Sequence, residues 1–353
     1  MERRLEWRIV HKQQETPEAV TLVLEPLSGE NVKYVAGQYL PLIRAFNGKE
    51  ERRAYSFCSC PGVEPLPVIA VKRIPNGLFS TWLVQQAAVG DVITSAAPAG
   101  RFTLPVRKPK RLLYVAAGSG ITPIMSHLKA VFQKSDWANV PVRLLYANRD
   151  SANTLFKAQI DRWVNEYSGR LWATYFFSRE SNAPHAEHAH LNNELFERHL
   201  LDFVGKKANA AARRGLQTFL CAPPALMRMA RMTMQALGFP PERIHQETFL
   251  PDVRIRFREP DFSRRSLIVL NTRDRGVVSF EAFAGETILQ AALRQGIPLP
   301  YTCKSGVCLS CLVHCVRGEV EVNFAEQTRR EGSGALVHTC IGYAATETVE
   351  LAL

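Results

Sequence analysis

Four of the chain's eight cysteines lie close together in the stretch YTCKSGVCLSCLVHC, residues 301 to 315. Cys303, Cys308 and Cys311 follow the spacing C-x4-C-x2-C, and Cys340 follows after 28 intervening residues. Three thiolates from one loop and a fourth from a distant strand are the ligand pattern of a [2Fe–2S] cluster. Zinc is the main alternative, but structural zinc sites usually pair two CxxC-like motifs and only one CxxC occurs here. We therefore predict that these four cysteines bind a [2Fe–2S] cluster.

The remaining cysteine of this stretch, Cys315, falls in the apolar run CLVHCV and is predicted to be a buried strand thiol. Disulfides are the weaker alternative for the whole set. The N-terminal residues MERRLEWRIVHKQQETPE lack the apolar stretch of a signal peptide. We therefore expect a cytoplasmic protein, and cysteines stay reduced in that compartment.

The C-terminal segment as a whole resembles a known domain. Residues 266–353, and PYTCKSGVC within them, are similar to a plant-type ferredoxin domain of the β-grasp fold. Leu309 differs from the Gly that such loops commonly have between the second and third cysteines. The resemblance implies a [2Fe–2S] electron carrier.

A second candidate site lies near the N-terminus, in RRAYSFCS. Arg53, Ala54, Tyr55 and Ser56 form the pattern R-x-Y-S, similar to the flavin signature of the ferredoxin–NADP reductase superfamily. An arginine can neutralise a cofactor pyrophosphate, an aromatic ring can cover the isoalloxazine, and a serine hydroxyl can hydrogen-bond flavin N5. The motif therefore predicts a flavin site.

Two later stretches support this resemblance. APAGRF, at residues 97–102, resembles the family's G-P-x-G-x-F, with Ala97 in place of the first glycine. The stretch VKRIPNGLFSTWL matches the family's cofactor-binding strand and loop at Val71, Lys72, Gly77 and Ser80. The loop from Gly77 to Ser80 implies FAD rather than FMN.

A third candidate site is the glycine turn in VAAGSGITP. Gly118 and Gly120 stand between a predicted strand and a predicted helix, where a backbone can approach a pyrophosphate and the helix N-terminus favours its negative charge. Thr122 and Pro123 complete the pattern G-x-G-x-x-P, which resembles the same superfamily. The turn is therefore predicted to bind NAD(P)H.

Two further resemblances imply residues beside the nicotinamide. CAPPALM is similar to the family's C-G-P-x-x-M, with Ala222 where glycine is usual, and implies that Cys221 lies beside the nicotinamide. ETF is similar to the family's E-x-aromatic ending. It implies that Glu247 lies near the hydride path and that Phe249 lies against the flavin.

The choice between NADPH and NADH depends on a few polar residues after two strands. Ser178 and Arg179 follow the third predicted strand of the middle segment, similar to where NADP-dependent relatives hold the 2′-phosphate. Arg149, in ANRD, could reach the same group. We favour NADPH, with a surface arginine at a strand end as the alternative interpretation.

These sites must be positioned by elements with three different sequence patterns. Residues 1–105 alternate apolar and polar positions over short runs and predict an antiparallel β-barrel for the flavin. Residues 106–249 repeat a buried strand followed by a helical pattern and predict a doubly wound α/β parallel sheet for NAD(P)H. Residues 250–265 are predicted to be a linker, and residues 266–353 an α+β β-grasp ferredoxin domain.

Charge argues against one class of function. The chain carries a formal net charge of +11, which invites a nucleic-acid partner. The excess is spread over residues 1–265, while residues 266–353 carry seven Lys or Arg against nine Asp or Glu. No basic run is interleaved with aromatics, and no apolar run is long enough for a membrane helix. We therefore expect neither nucleic acid nor membrane as a partner.

The order of the three segments resembles that of oxygenase reductase components, especially the phenylacetyl-CoA epoxidase reductase type. NAD(P)H gives up two electrons as a hydride, whereas a [2Fe–2S] cluster accepts one electron at a time, so a flavin between them converts one into the other. We predict an NAD(P)H-dependent oxidoreductase that passes electrons through FAD and a [2Fe–2S] cluster to a partner protein, an oxygenase component.

Several alternatives remain open at this point. The acceptor could instead be a ring-hydroxylating or carnitine-type oxygenase, a desaturase or the hybrid-cluster protein. The chain could also be a slow-turnover redox-sensing module, or a zinc-binding regulatory protein. Ser56, Cys221 and Glu247, which match the family's hydride-path positions, argue against the redox-sensing alternative.

Overall fold

The computed structural model describes the chain except for residues 1–3, 30–31, 47, 75–76, 134–136, 138, 182–185, 250–260, 273–275, 302–310 and 325–326. It divides into two compact units, Arg4–Thr248 and Phe249–Leu353. The boundary predicted near residue 105 therefore lies inside a single compact unit. No helix in the described ranges combines the length and the apolar character needed to cross a membrane.

The first sheet of the larger unit is antiparallel and barrel-like, as predicted. Its strands run in the order β4-β3-β6-β1-β2-β5. Apolar side chains that alternate along them, among them Trp7, Leu22 and Leu40, are fully buried and form the core. The six strands are β1 (Leu5–Thr16), β2 (Ala19–Pro26), β3 (Tyr39–Phe46), β4 (Lys49–Ser56), β5 (Val68–Lys72) and β6 (Val92–Ser95).

One helical segment covers this sheet. Helix α1 (Leu78–Thr81) continues as a π-helical turn over Trp82–Gln86. Lys12 of β1 donates hydrogen bonds to the carbonyls of Val84 and Ala87, 2.9 and 2.7 Å away. Because the last carbonyls of a helix have no partner within it, Lys12 holds the end of this segment against the barrel.

The second sheet is parallel, in the order β10-β9-β8-β7-β11-β12. Two apolar clusters cover its two faces, so the predicted doubly wound α/β fold is confirmed. Its strands are β7 (Arg111–Ala117), β8 (Val142–Asn148), β9 (Leu171–Phe177), β10 (Ala186–Glu187), β11 (Leu216–Cys221) and β12 (Ile244–Glu247). Its helices are α2 (Ile121–Gln133), α3 (Lys157–Glu166), α4 (Asn193–Val204), α5 (Ala210–Arg214) and α6 (Pro224–Ala236).

The smaller unit is an α+β domain of the β-grasp type. Its five-stranded sheet has the order β14-β13-β20-β15-β18, with β13 and β20 parallel, and a second sheet has the order β17-β16-β19. The elements are β13 (Asp261–Thr272), β14 (Gly276–Ala284), α7 (Ile288–Arg294), β15 (Leu312–Arg317), β16 (Val320–Phe324), β17 (Gln327–Glu331), β18 (Leu336–His338), β19 (Gly342–Ala344) and β20 (Thr348–Ala352).

Two details of the smaller unit bear on the sequence predictions. Strand β13 begins at Asp261, inside the predicted linker 250–265, because Arg265 pairs with Phe283 and Asp261 with Ala284 of β14. Thr287 caps α7 through a capping box with Gln290, which fixes the start of this helix.

Candidate functional site

The glycine turn lies where the order of the parallel strands reverses. Strand β7 has β8 on one side and β11 on the other, and ligands of such sheets bind at this point. Gly118 has a φ of +53°, which favours glycine. A Cβ on Gly120 would lie 1.8 Å from the carbonyl oxygen of Cys221, so only glycine fits against the end of β11.

The residues that follow this turn begin helix α2. Thr122 is buried and its hydroxyl donates to the carbonyl of Ser119, 3.0 Å away. Pro123 lies in the first turn, where the missing N–H has no intrahelical partner to lose. The N-terminus of this helix of 13 residues is thus directed at the strand reversal, as a pyrophosphate site requires.

Cys221 and Glu247 end two adjacent strands. The register pairs Cys221 of β11 with Glu247 of β12. The Cys221 thiol is buried, and burial together with the Glu247 charge raises its pKa well above the usual value. Desolvation raises the pKa of Glu247 to about 8, and its Oε2 is buried without a hydrogen-bond partner in the described chain. The structure therefore brings together two of the three predicted catalytic residues.

The third predicted catalytic residue, Ser56, ends β4. Its side chain is buried, and its Oγ has no hydrogen-bond partner among the described residues. A buried hydroxyl without a partner is costly, so this atom fits a hydrogen bond to a bound group such as flavin N5.

The neighbours of Ser56 in the motif differ in their burial. Burial raises the pKa of the Tyr55 hydroxyl, and the Tyr55 ring lies 6.0 Å from that of Phe79. Ala54 is exposed. Arg53 is exposed and forms an ion pair with Glu51 at 2.9 Å, which a cofactor phosphate would compete for.

The predicted cofactor loop is held together by its own serine. The Ser80 hydroxyl is buried, accepts a hydrogen bond from the amide of Ile74 at 3.2 Å and donates to the carbonyl of Gly77 at 3.2 Å. A Cβ on Gly77 would lie 2.6 Å from Ser80 Oγ. The hydroxyl of Ser80 therefore shapes the loop, a role that the motif resemblance alone did not indicate.

Two predicted positions on β5 connect the barrel to the second sheet. Val71 is fully buried in the barrel core. Lys72 is half-buried, and desolvation lowers its pKa, with the neighbouring Glu18 opposing that shift and Arg149 adding to it. The end of β5 therefore lies near the end of β8.

The predicted 2′-phosphate residues lie at the ends of β8 and β9. The amide of Arg179 donates to the carbonyl of Arg149 at 2.8 Å, and that of Ser178 donates to Asn148 at 3.2 Å. Both arginine side chains are exposed. The structure brings these three residues together at the carboxyl edge of the parallel sheet.

Two of the four predicted cluster ligands fall within the described residues. The Sγ atoms of Cys311 and Cys340 are buried and 3.2 Å apart, farther than the length of about 2.05 Å of a disulfide. Two buried, unbonded thiols side by side would supply two of the four thiolates that hold a [2Fe–2S] cluster. Cys303, Cys308 and Leu309 lie outside the described residues.

Neighbouring residues support this cysteine pair. Thr339, which the sequence did not single out, donates to the Cys311 carbonyl from its amide at 3.1 Å and from its hydroxyl at 3.2 Å. Its position beside Cys340 was the available signal. Cys315 is buried in β15, as predicted, and its thiol approaches the Gly318 carbonyl at 3.5 Å.

Phe249 is the predicted site residue with the least support. Its side chain is 41% exposed, and it follows β12 at the start of the smaller unit. Its stacking on a flavin stays a prediction.

The fold and these sites define a flavin- and iron–sulfur-dependent NAD(P)H oxidoreductase. Three family models match the chain: an oxidoreductase FAD-binding domain at residues 7–104, an oxidoreductase NAD-binding domain at 114–232 and a 2Fe-2S iron-sulfur cluster binding domain at 272–345. The three cofactor-binding domains occur in the predicted order.

Curated relatives extend over nearly the whole chain. It is 32% identical over 323 residues to a component of the 1,2-phenylacetyl-CoA epoxidase of Escherichia coli, covering 88% of this chain and 87% of that protein. It is 28% identical to an NADPH oxidoreductase of Mycobacterium tuberculosis, covering 98% and 84% of the two chains. The 3-ketosteroid-9-alpha-monooxygenase ferredoxin reductase component of Rhodococcus rhodochrous is 27% identical, with 82% and 79% covered.

The solved structure of phthalate dioxygenase reductase has the same fold, with a TM-score of 0.61 at 24% identity, covering 99% of this chain and 98% of that one. The chain belongs to the family of oxygenase reductase components that combine FAD-binding, NAD-binding and C-terminal [2Fe–2S] domains, the family of the phenylacetyl-CoA epoxidase reductase component.

Proposed function

We propose that hydride transfer from the pyridine nucleotide takes place between Ser56 of the barrel and the pair Cys221 and Glu247. The observation that carries this proposal is the register of β11 and β12, which sets Cys221 beside Glu247 at the strand reversal, against the glycine turn. The buried atoms Ser56 Oγ and Glu247 Oε2 lack partners within the described chain, as expected of a site that a ligand completes.

The residues that would hold the cofactors follow from their chemistry. Arg53, Tyr55, Ser56 and the loop from Gly77 to Ser80 would hold FAD, with the cluster on Cys303, Cys308, Cys311 and Cys340. When bound, FAD takes up two electrons as a hydride, and a [2Fe–2S] cluster takes up one at a time.

The site residues themselves bind and orient. Gly118, Gly120 and the amides of the first turn of α2 receive the nucleotide pyrophosphate, with Thr122 keeping the turn closed through Ser119. Cys221, protonated because its pKa is raised, offers an uncharged surface to the nicotinamide. Glu247 holds a proton below a pH of about 8 and an unpaired negative charge above it.

We propose NADPH as the preferred nucleotide. Arg149 and Arg179 end adjacent strands and are linked through their backbones at 2.8 Å, so two exposed guanidinium groups and the Ser178 hydroxyl share one edge. Arginine is the residue best suited to bind a phosphate through two parallel N–H···O hydrogen bonds. The ratio of kcat/KM for NADPH to that for NADH tests this. A ratio below one would contradict it.

The proposed acceptor is a partner protein, an oxygenase component of the phenylacetyl-CoA epoxidase type. Its support is the relative in Escherichia coli, a component of that epoxidase, which matches the chain over all three domains. The alternatives are the oxygenases named for other relatives, such as glycine betaine monooxygenase in Pseudomonas aeruginosa. NADPH-dependent turnover, measured with purified oxygenase components of each type, discriminates among them: the cognate component couples NADPH oxidation to product formation.

We also propose a cytoplasmic location and the limits of the domains. Cys58, Cys221 and Cys315 are buried thiols, as expected in a reducing cytoplasm. The domain limits proposed are 1–105, 106–249, 250–265 and 266–353. Cell fractionation with an antibody tests the first point, and limited proteolysis with mass spectrometry tests the second.

A further inference from the structure

The side chains of Tyr114, Phe219 and His245 form a layer of three rings on the parallel sheet, next to the proposed hydride site. The sheet register pairs Phe219 with Tyr114 of β7 and with His245 of β12, and two residues later it pairs Cys221 with Ala116 and with Glu247. Because strand side chains alternate, residues two apart share one face of the sheet. The rings therefore form the layer on which Cys221 and Glu247 lie.

The rings in this layer are in direct contact. Tyr114 stacks on Phe219 with ring centroids 5.5 Å apart, and His245 stacks on the other side of Phe219 at 4.7 Å. His245 is fixed in turn by a 2.7 Å hydrogen bond between its Nε2 and Gln217. Phe219 is thus the centre of the layer, on the strand that ends at Cys221.

His127 of α2 connects this layer to the flavin barrel. Its ring meets Phe219 edge to face at 4.9 Å and stacks on Phe102, which follows the barrel strands, at 5.4 Å. Its Nε2 lies 2.9 Å from the Phe102 carbonyl oxygen. Since a carbonyl only accepts, Nε2 donates this hydrogen bond. Complete burial lowers the pKa of His127 to about 3, so the ring is neutral.

The contact between α2 and the barrel leaves no free space. A Cβ on Gly37 of the barrel would lie 1.8 Å from the Phe102 carbonyl oxygen and 2.2 Å from His127 Nε2. On either side of His127, Ser126 donates to the Ser59 carbonyl and Lys129 forms an ion pair with Glu64. Helix α2, whose N-terminus faces the nucleotide, therefore cannot approach the barrel more closely.

We propose that His127 is a positioning residue for hydride transfer: its hydrogen bond to the Phe102 carbonyl fixes the separation between Ser56 and the pair Cys221 and Glu247. The inference rests on the hydride path proposed above. Hydride transfer requires reacting atoms in near contact, and a displacement of about 1 Å can cost about 100-fold in rate. A helix that carries the nucleotide site and contacts the flavin barrel is the element that sets this distance.

Three substitutions separate positioning from simple packing. His127→Gln keeps an N–H donor at nearly the reach of Nε2, His127→Asn keeps the polarity but is one methylene shorter, and His127→Leu removes the donor. His199→Leu is the matched control, because His199 is a second buried histidine, on α4, that contacts Phe176 on the opposite face of the sheet.

The measurement is anaerobic stopped-flow reduction of the FAD-loaded protein by saturating NADPH. It records the rate of flavin bleaching and the long-wavelength charge-transfer absorbance between nicotinamide and flavin. We expect His127→Leu and His127→Asn to slow reduction by about tenfold or more and to weaken the charge-transfer band, with FAD content unchanged. We expect His127→Gln and His199→Leu to stay within about twofold of the wild-type rate.

Two results with the His127 variants would contradict the positioning role. A wild-type rate and charge-transfer band in His127→Asn would overturn the inference, as would a His127→Gln protein as slow as His127→Asn. If His127→Leu does not fold, the comparison of Gln with Asn decides alone. A failure of the underlying hydride path is seen separately, as wild-type reduction rates in both Ser56→Ala and Glu247→Gln at pH 9.

Discussion

Two regions of the molecule bury cysteine thiols in different chemical environments. At the end of β11, Cys221 lies beside a carboxyl group, and burial together with that charge raises the pKa of the thiol. Around β15 and β18, the Sγ atoms of Cys311 and Cys340 are 3.2 Å apart in an apolar core. Burial keeps the Cys221 thiol protonated, and the Glu247 charge adds to that effect once it forms. In the second region each thiol has another sulfur beside it, which makes the pair candidate metal ligands.

The largest effect is expected at the sulfur pair. Cys340→Ser removes a predicted cluster ligand, so the [2Fe–2S] absorption should be lost and NADPH-dependent cytochrome c reduction should fall by about 100-fold or more. FAD content and ferricyanide reduction, which needs only the flavin, should be retained. Cys315→Ser, a buried cysteine in the same sheet, is the control and should keep both activities. Normal cytochrome c reduction by Cys340→Ser would refute the assignment.

A smaller and pH-dependent effect is expected beside Cys221. Glu247 has its pKa raised to about 8, so it is neutral at pH 6 and negative at pH 9. A nicotinamide gains positive charge as its hydride leaves, and a nearby carboxylate stabilises that charge. Flavin reduction should therefore accelerate as pH rises through about 8, and Glu247→Gln should be about tenfold slower than wild type at pH 9 but equal to it at pH 6. A pH step that persists in Glu247→Gln would contradict this role.

The same group gives a stability prediction. Because the folded-state pKa of Glu247 lies above its ordinary value, its contribution to stability is complete below pH 4.5 and is lost as pH rises towards 8. We therefore compare the melting temperature of Glu247→Gln with that of wild type at each pH. This difference should shift in favour of Glu247→Gln between pH 6 and pH 9. Melting followed by flavin fluorescence at the two pH values measures the difference.

A comparable effect is expected at Arg179, at the carboxyl edge of the parallel sheet. Arg179→Ser should lower the ratio of kcat/KM for NADPH to that for NADH by about tenfold, since a hydrogen bond to a charged group contributes about 1.5 kcal/mol. Arg162→Ser changes another exposed arginine, on α3, and should leave the ratio unchanged. An unchanged ratio in Arg179→Ser would remove Arg179 from the nucleotide site.

The smallest effect is expected at the support of the sulfur pair. Thr339→Val removes the hydroxyl that donates to the Cys311 carbonyl at 3.2 Å but keeps the backbone hydrogen bond. The loss of about 1 kcal/mol should shorten the half-life of the cluster under an iron chelator about fivefold. The rate of flavin reduction should stay at its wild-type value. A parallel loss of flavin reduction would show that the substitution acts beyond the cysteine region.

The fold was largely predictable because apolar periodicity is local. For example, the apolar-rich runs AVTLVLEP, VRLLYAN and LQTFLC coincide with strands β2, β8 and β11. Strand β13 begins at Asp261, before the predicted domain start at 266, and its residues Arg264 and Arg265 are exposed and charged, as linker residues usually are. The π-helical turn Trp82–Gln86 was missed since nothing in its spacing differs from that of an α-helix.

The sites were predictable to different degrees for a physical reason. The cluster ligands are predicted from spacing alone, since a metal limits which residue types can bind it and how far apart they stand. Cys221 and Glu247 are predicted only through motif resemblance, because their pairing depends on the register of two strands that are distant in sequence. His127 was not found: its partner Phe102 lies 25 residues away, and a lone histidine within an apolar helix pattern gives no sign of a hydrogen bond to another sheet.

The seam between the barrel and the parallel sheet affects how such reductases can be recombined. Helix α2 meets the barrel through Ser59, Glu64 and Phe102, with no room for a side chain at Gly37. A chimera that exchanges the barrel at residue 105 must therefore import a matching α2 surface as well. An exchange made after β12 leaves this seam untouched, so the Arg4–Thr248 unit can be transplanted as one cassette and supplied with a different iron–sulfur domain.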